Sequence, residues 1–198
     1  MRKNVTAFAR HAATMYAATW CAALALGSSA HAASLTYTNV DVAIISSDLD
    51  DADLSGSGVL VRGSYEFYEN FFAHALVSDI GYDHSVDGFL WGIGAGGHWP
   101  ITSALDLVGK LTFLHQDLDF RGGNNSESGY ALEATARGFV VDKLEVEGGV
   151  RHSHLEDTGN NSGLIGEARY FFTPRIAGGV LVQVGDDTTF GANVRFTF

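Results

Sequence analysis

Cysteine is all but missing from this chain of 198 residues, and the one present, Cys21, lies in an apolar stretch near the N-terminus. Beyond that stretch there is no disulfide frame and no thiol chemistry. Proline is equally scarce. Pro100 and Pro174 both fall in short segments between apolar runs, where a missing backbone donor does no harm. Basic residues are few: 12 Lys and Arg stand against 23 Asp and Glu, a net charge of −11. That balance argues against nucleic acid as a partner, because phosphate-binding surfaces are basic. From residue 33 onward no apolar run approaches the roughly 20 residues that a membrane helix requires.

What the N-terminus does have is a targeting pattern. Arg2, Lys3, Arg10 and His11 form a basic region without acids. Residues 12–26 are mostly Ala, Leu, Met and Trp, and Ala30-His31-Ala32 is a small-x-small cleavage site. Residues 1–32 therefore read as a cleavable signal peptide and 33–198 as one mature domain. Ala18-Thr19-Trp20 does not make a lipobox in front of Cys21. The mature part keeps nine basic residues against 23 acids, a net charge of −14.

The mature part alternates with a period of two. Phe190, Ala192, Val194, Phe196 and Phe198 share one parity, and Thr189, Gly191, Asn193, Arg195 and Thr197 share the other. Successive strand side chains point to opposite faces, so this strand has one apolar and one polar face. The same split places Val59, Val61, Tyr65 and Phe67 against Arg62 and Glu66, and Phe89, Trp91 and Ile93 against Gly92, Gly94, Gly96 and His98. It recurs with Leu107, Leu111 and Phe113 against Lys110, and with Tyr130, Leu132 and Ala134 against Glu133 and Arg137. It recurs again with Val146 and Val150 against Glu147 and Arg151, with Leu164, Ala168 and Tyr170 against Glu167 and Arg169, and with Val180 and Val182 against Gln183. Segment 35–45 is noisier, with Val40, Val42 and Ile44 against Asn39 and Asp41. So is segment 71–82, read with Phe72, Leu76, Ile80 and Tyr82 on the apolar face and Ala75 and Asp79 on the polar one.

These segments make ten strands, or eight if the two noisy ones are irregular. Short connections at 68–70, 99–103, 141–143 and 173–175 alternate with mostly longer ones at 46–57, 83–88, 117–128, 156–162 and 185–188, which are rich in Asp, Asn, Gly and Ser. An even count with short turns at one end is the pattern of an all-β, antiparallel, up-and-down transmembrane β-barrel, with both chain ends on the short-turn side. The polar parity carries both signs of charge at mid-strand, which suits a narrow interior where charges pair across strands. Aromatics gather toward strand ends on the apolar parity (Tyr65, Phe67, Tyr82, Phe89, Tyr130, Tyr170, Phe172), as in interfacial girdles. The expected lumen network is Arg62, Glu66, Lys110, Glu133, Arg137, Glu147, Arg151, Glu167, Arg169 and Arg195. Interior glycines at 92, 94, 96, 149, 179 and 191 leave some room beside it.

The terminal Val194-Arg195-Phe196-Thr197-Phe198 resembles the last strand of outer-membrane proteins, whose final aromatic is read by the barrel assembly machinery. The Gly-rich strand Trp91-Gly92-Ile93-Gly94-Ala95-Gly96-Gly97, followed after a short turn by Leu105-Asp106-Leu107-Val108, is similar to strands of small barrels of the OmpA and OmpX type. The resemblance implies an integral place in a bacterial outer membrane with both termini periplasmic. It also implies contact with lipid and lipopolysaccharide, delivery by periplasmic chaperones, and Phe196 and Phe198 as the assembly signal. No cell-wall-binding domain is expected after Phe198, and a monomer is expected.

Three functions compete. The first is a structural or surface-interaction role carried by acidic loops. Asp48, Asp50, Asp51 and Asp53 could loosely hold calcium or magnesium beside lipopolysaccharide, since carboxylates are hard oxygen ligands, but they lack the Gly and Glu of an EF-hand loop. No other cofactor is expected. The second is a small, low-conductance pore, because the diameter of a barrel follows its strand number. The third is an outer-membrane enzyme of the lipid A hydrolase kind, for which His152-Ser153-His154 with Glu156 and Asp157 is the one candidate cluster. Neighbouring strand positions face apart, so His152 and His154 share the outward parity of Val150 while Ser153 points the other way; no enzyme is expected. His98 reads as an interior hydrogen-bonding group, His74 as outward, and Trp91 and Trp99 as boundary anchors.

Overall fold

The computed structural model describes residues 35–49, 54–83 and 86–198; the expected signal peptide, Asp50, Asp51, Asp53 and His84 lie outside them. Ten strands follow one another: β1 (Asn39–Leu49), β2 (Leu54–Tyr68), β3 (Phe71–Tyr82), β4 (Val86–Thr102), β5 (Leu105–Phe120), β6 (Gly123–Val141), β7 (Leu144–Leu155), β8 (Gly159–Thr173), β9 (Ile176–Val184) and β10 (Asp187–Thr197). Each pairs antiparallel with its neighbours in sequence, and β1 pairs with β10 to close the barrel, from Asn39 opposite Thr197 to Leu49 opposite Asp187. Closure leaves no free edge strand, so each strand has a hydrogen-bonded neighbour on both sides.

The apolar parity faces outward. Ile44, Ile93, Leu111, Leu132, Val150 and Val180 are exposed around the middle of the wall; Asp79, an acid on this outer parity, lies between Val59 and Phe89 toward the end opposite the short turns. Aromatics ring it at both borders: Tyr65, Phe67, Trp99, Tyr170, Phe172 and Phe198 toward the turn end, and Phe89, Phe113, Tyr130 and Phe190 toward the opposite end. The turns are tight. Asn70 and Lys143 take positive φ values of 66° and 72° in two of them, each beside a register shift in the pairing.

Two expectations are corrected. The first concerns β3, whose faces are reversed. Phe72, His74, Leu76, Ser78, Ile80 and Tyr82 line the interior, while Phe71, Ala75, Val77 and Asp79 face out. The cause lies across the ladder. Phe72, His74, Leu76 and Ile80 pair with Gly96, Gly94, Gly92 and Gly88 of β4, a column without side chains that gives these bulky groups their space. A Cβ on Gly96 would meet the Phe72 ring, and one on Gly94 would lie 2.8 Å from the His74 ring. The β4 glycines Gly94 and Gly96 therefore do not widen the lumen; the rings of His74 and Phe72 fill what they vacate.

The second correction concerns the long connections. Segment 117–128, read as a loop, is the paired ends of β5 and β6 around Arg121-Gly122, and 46–57 is mostly strand as well. Among the described residues, these two connections are strand extensions, and this end is the hairpin end. Glu127 is not a solvated loop acid. It is buried, and it accepts hydrogen bonds from the backbone of Asp157 (3.0 Å) and Thr158 (2.9 Å) and from the Thr158 hydroxyl, which holds the β7–β8 turn.

Candidate functional site

The inward side chains form three layers. The layer at the turn end is built on Tyr37, which precedes β1 and folds into the barrel mouth. Its ring stacks on His98 at 3.9 Å and on Phe72 at 5.1 Å, with Val108 and Leu35 packed alongside. Its hydroxyl donates to Asp106 at 2.8 Å, and the Arg137 guanidinium sits 4.7 Å over its ring. His98 is 3.2 Å from both Glu66 and Asp106. Tyr37 thus stops the turn end with an aromatic stack held by charge-assisted bonds.

The middle layer is a continuous ion-pair network. Glu145 is its hub and accepts from Arg137 (2.8 Å), Arg169 (2.6 Å) and Arg195 (3.2 Å). Arg195 also grips Asp41 at 2.6 Å, joining β10 to β1 across the closure. Arg62 pairs with Glu167 and lies 3.8 Å from Asp41; Arg169 pairs with Glu167 and lies 3.5 Å from Glu147. Lys110 reaches Glu133 (3.1 Å) and Glu147 (3.4 Å), and Arg151 lies 3.7 Å from Glu133. Six cations and five acids are linked in this way. Taking such charges out of water is offset only when their attraction and hydrogen bonds are nearly complete.

Nine of the ten sequence-predicted lumen charges meet in this layer, and Glu66 sits apart in the layer below with His98. Asp41, Asp106 and Glu145 were not among them, although all three stand on the polar parity of their strands. Parity alone was the signal that could have found them.

A cavity of about 560 Å³ runs along the lumen from Tyr37, Phe72 and Val108 past the network to the hairpin end, lined by residues of β1 to β10, and its upper part lies above the network. The other sequence-predicted groups lie apart from the lumen. Asp48 is exposed on the outer parity, and among the described residues no cluster of three or more His, Cys, Asp or Glu is placed to hold a metal ion. His152 and His154 face outward, and Ser153 lines the cavity. His152 Nδ1 is 2.7 Å from the Ser162 hydroxyl of β8, but among the described residues no carboxylate pairs with His152 to orient it as a base. His74, expected outward, points in and lies 2.9 Å from Thr112.

The whole is a closed antiparallel barrel with a mostly apolar outside and a charged inside. No family model and no curated protein matches the chain. Solved structures of similar fold include the KdgM porin, 11% identical over 81% of this chain and 99% of that one, with a TM-score of 0.47. They also include the N-terminal β-barrel domain of Pseudomonas aeruginosa OprF (11% identical, 81% of this chain, 98% of that one, TM-score 0.44). A third is the Yersinia pestis outer membrane protein Ail (16% identical, 80% of this chain, 99% of that one, TM-score 0.43). These likenesses concern the fold alone.

Proposed function

We propose that this chain is an integral barrel of a bacterial outer membrane, with its termini periplasmic and its lumen closed, and that it acts through its architecture and exposed surface. The membrane reading is supported by the mostly apolar outward band between two aromatic borders, since a lipid-facing charge at mid-depth costs about 2–4 kcal/mol. Against that reading's soluble rival, an exposed apolar belt around the whole wall would be an aggregation surface in water. The orientation is supported by the polar, strand-built hairpin end, which suits the cell surface. In this setting lipid and lipopolysaccharide are its neighbours, divalent cations associate only loosely with surface carboxylates, and the chain is a monomer.

The observation that carries the closed-lumen reading is the ion-pair septum lying on the Tyr37 stack, two barriers in series. A low-conductance pore is the second reading, favoured by the cavity that runs from the hairpin end past the network to Tyr37 and Phe72. Single-channel recording of the refolded barrel in planar bilayers separates them, with heat-modifiable gel migration confirming the fold. Silence is expected. Reproducible discrete steps, absent from mock-refolded controls, would make the pore reading the right one.

A further inference from the structure

The part of the cavity above the septum is mostly aliphatic toward β2–β5, with Leu60, Leu76, Ile80, Leu90, Leu114 and Leu118 beside Ser78, Thr112 and Gln116. Toward β7–β10 it is mixed, with Ser153, Asn161, Gln183 and Thr189 beside Leu155, Ile165 and Leu181. The six aliphatic groups of β2–β5 point into the lumen, away from the outward apolar belt, and line the upper part of the cavity of about 560 Å³. An apolar wall facing a cavity of that size is the arrangement of a small-molecule site, where burying the wall drives binding and a few polar groups fix orientation.

The floor supplies those groups. The most exposed charges of the septum are all cations: Arg62, Lys110 and Arg151 keep 27%, 24% and 20% of their side-chain surface, whereas none of the five acids exceeds 14%. Exposed cationic donors under an aliphatic wall suit a carboxylate, which accepts charge-assisted hydrogen bonds from them.

We infer that the cup binds a single-chain anionic amphiphile, such as a medium-chain fatty acid. Its carboxylate sits among Arg62, Lys110 and Arg151, and its chain runs along the β2–β5 wall toward the hairpin end. From Lys110 to Leu118 the wall rises roughly 20 Å along the barrel axis, given strand rise and tilt, enough for one extended chain.

The inference rests on the closed outer-membrane barrel proposed above, and the test keeps the two apart. The barrel is refolded into nanodiscs, heat-modifiable migration is checked, and radiolabelled dodecanoate is titrated with empty discs subtracted. A chain that fails to fold in lipid counts against the membrane reading alone. For the folded barrel, saturable binding of one dodecanoate is expected, with dodecanol bound about tenfold or more weakly for want of the charge-assisted contacts. Arg151→Gln should abolish that preference while dodecanol binding persists; Lys110 remains to neutralise Glu133 in this variant. Ile80→Asp, with Leu90→Asn as a milder second variant, should weaken both ligands. Binding no greater than in empty discs, a preference that survives Arg151→Gln, or folded wall variants that bind like the parent chain would each overturn the inference.

Discussion

Glu145 shows how little the septum tolerates at the level of one side chain. It is 1% exposed and the shared acceptor of three guanidinium groups. Removing its charge leaves Arg137, Arg169 and Arg195 under-compensated in a site that water cannot easily reach, and breaking a buried pair in this way costs about 3–5 kcal/mol. Glu145→Gln should therefore lower the unfolding free energy of the refolded barrel by that order in urea titrations. Glu66→Gln, at the half-exposed turn-end rim beside His98, should cost no more than about 1 kcal/mol, the range of exposed pairs. Equal effects would mean that the hub is not a hub.

At the scale of the element, β3 separates what its residues say from what its surroundings decide. Phe71-Phe72 and Leu76-Val77 put apolar groups on both parities, so its own pattern supports either face. The glycine column of β4 settles the matter, because only one face of β3 can then carry Phe72 and His74. Ala75→Arg should accordingly cost about 2–4 kcal/mol, as should Val180→Arg on β9, since both face outward at mid-wall. Leu76→Gln, facing the cavity, should cost clearly less. Measured unfolding in lipid that reversed the order of Ala75→Arg and Leu76→Gln would restore the parity first expected for β3.

The other nine strands were legible, β1 less cleanly than the rest, because their alternation is consistent and no opposing strand contradicts it. The septum was legible for the same reason, residue by residue on the polar parity, but its connectivity was not. Which acid meets which Arg depends on shear between strands, and that places Glu145 beside Arg195 from 50 positions away. Tyr37 was invisible to this reasoning. It lies outside every strand, and its role comes from the mouth it folds into.

For the whole molecule, the two barriers in series make a specific prediction about permeability. Tyr37→Ala removes the stack at the turn end but leaves the septum intact, so it should stay silent in planar bilayers. Combining it with Glu145→Ala and Arg169→Ala removes the septum's two most buried charges together and should yield discrete conductance steps. Heat-modifiable migration tells a folded open variant from an unfolded one. Conductance from Tyr37→Ala alone would show that the septum is already permeable to ions.

The contact between Asp41 and Arg195 has a consequence for how the barrel comes into being. It spans the seam between the first strand and the last, and Arg195 hands on from there to Glu145 in the interior. Before that seam zips, a curved but open sheet would hold half-satisfied charges against a hydrocarbon solvent, which is the costliest place to leave them. Partly rolled intermediates are therefore penalised relative to both the unassembled chain and the finished cylinder. Insertion should be all-or-none, with circularisation and charge neutralisation arriving in the same kinetic step.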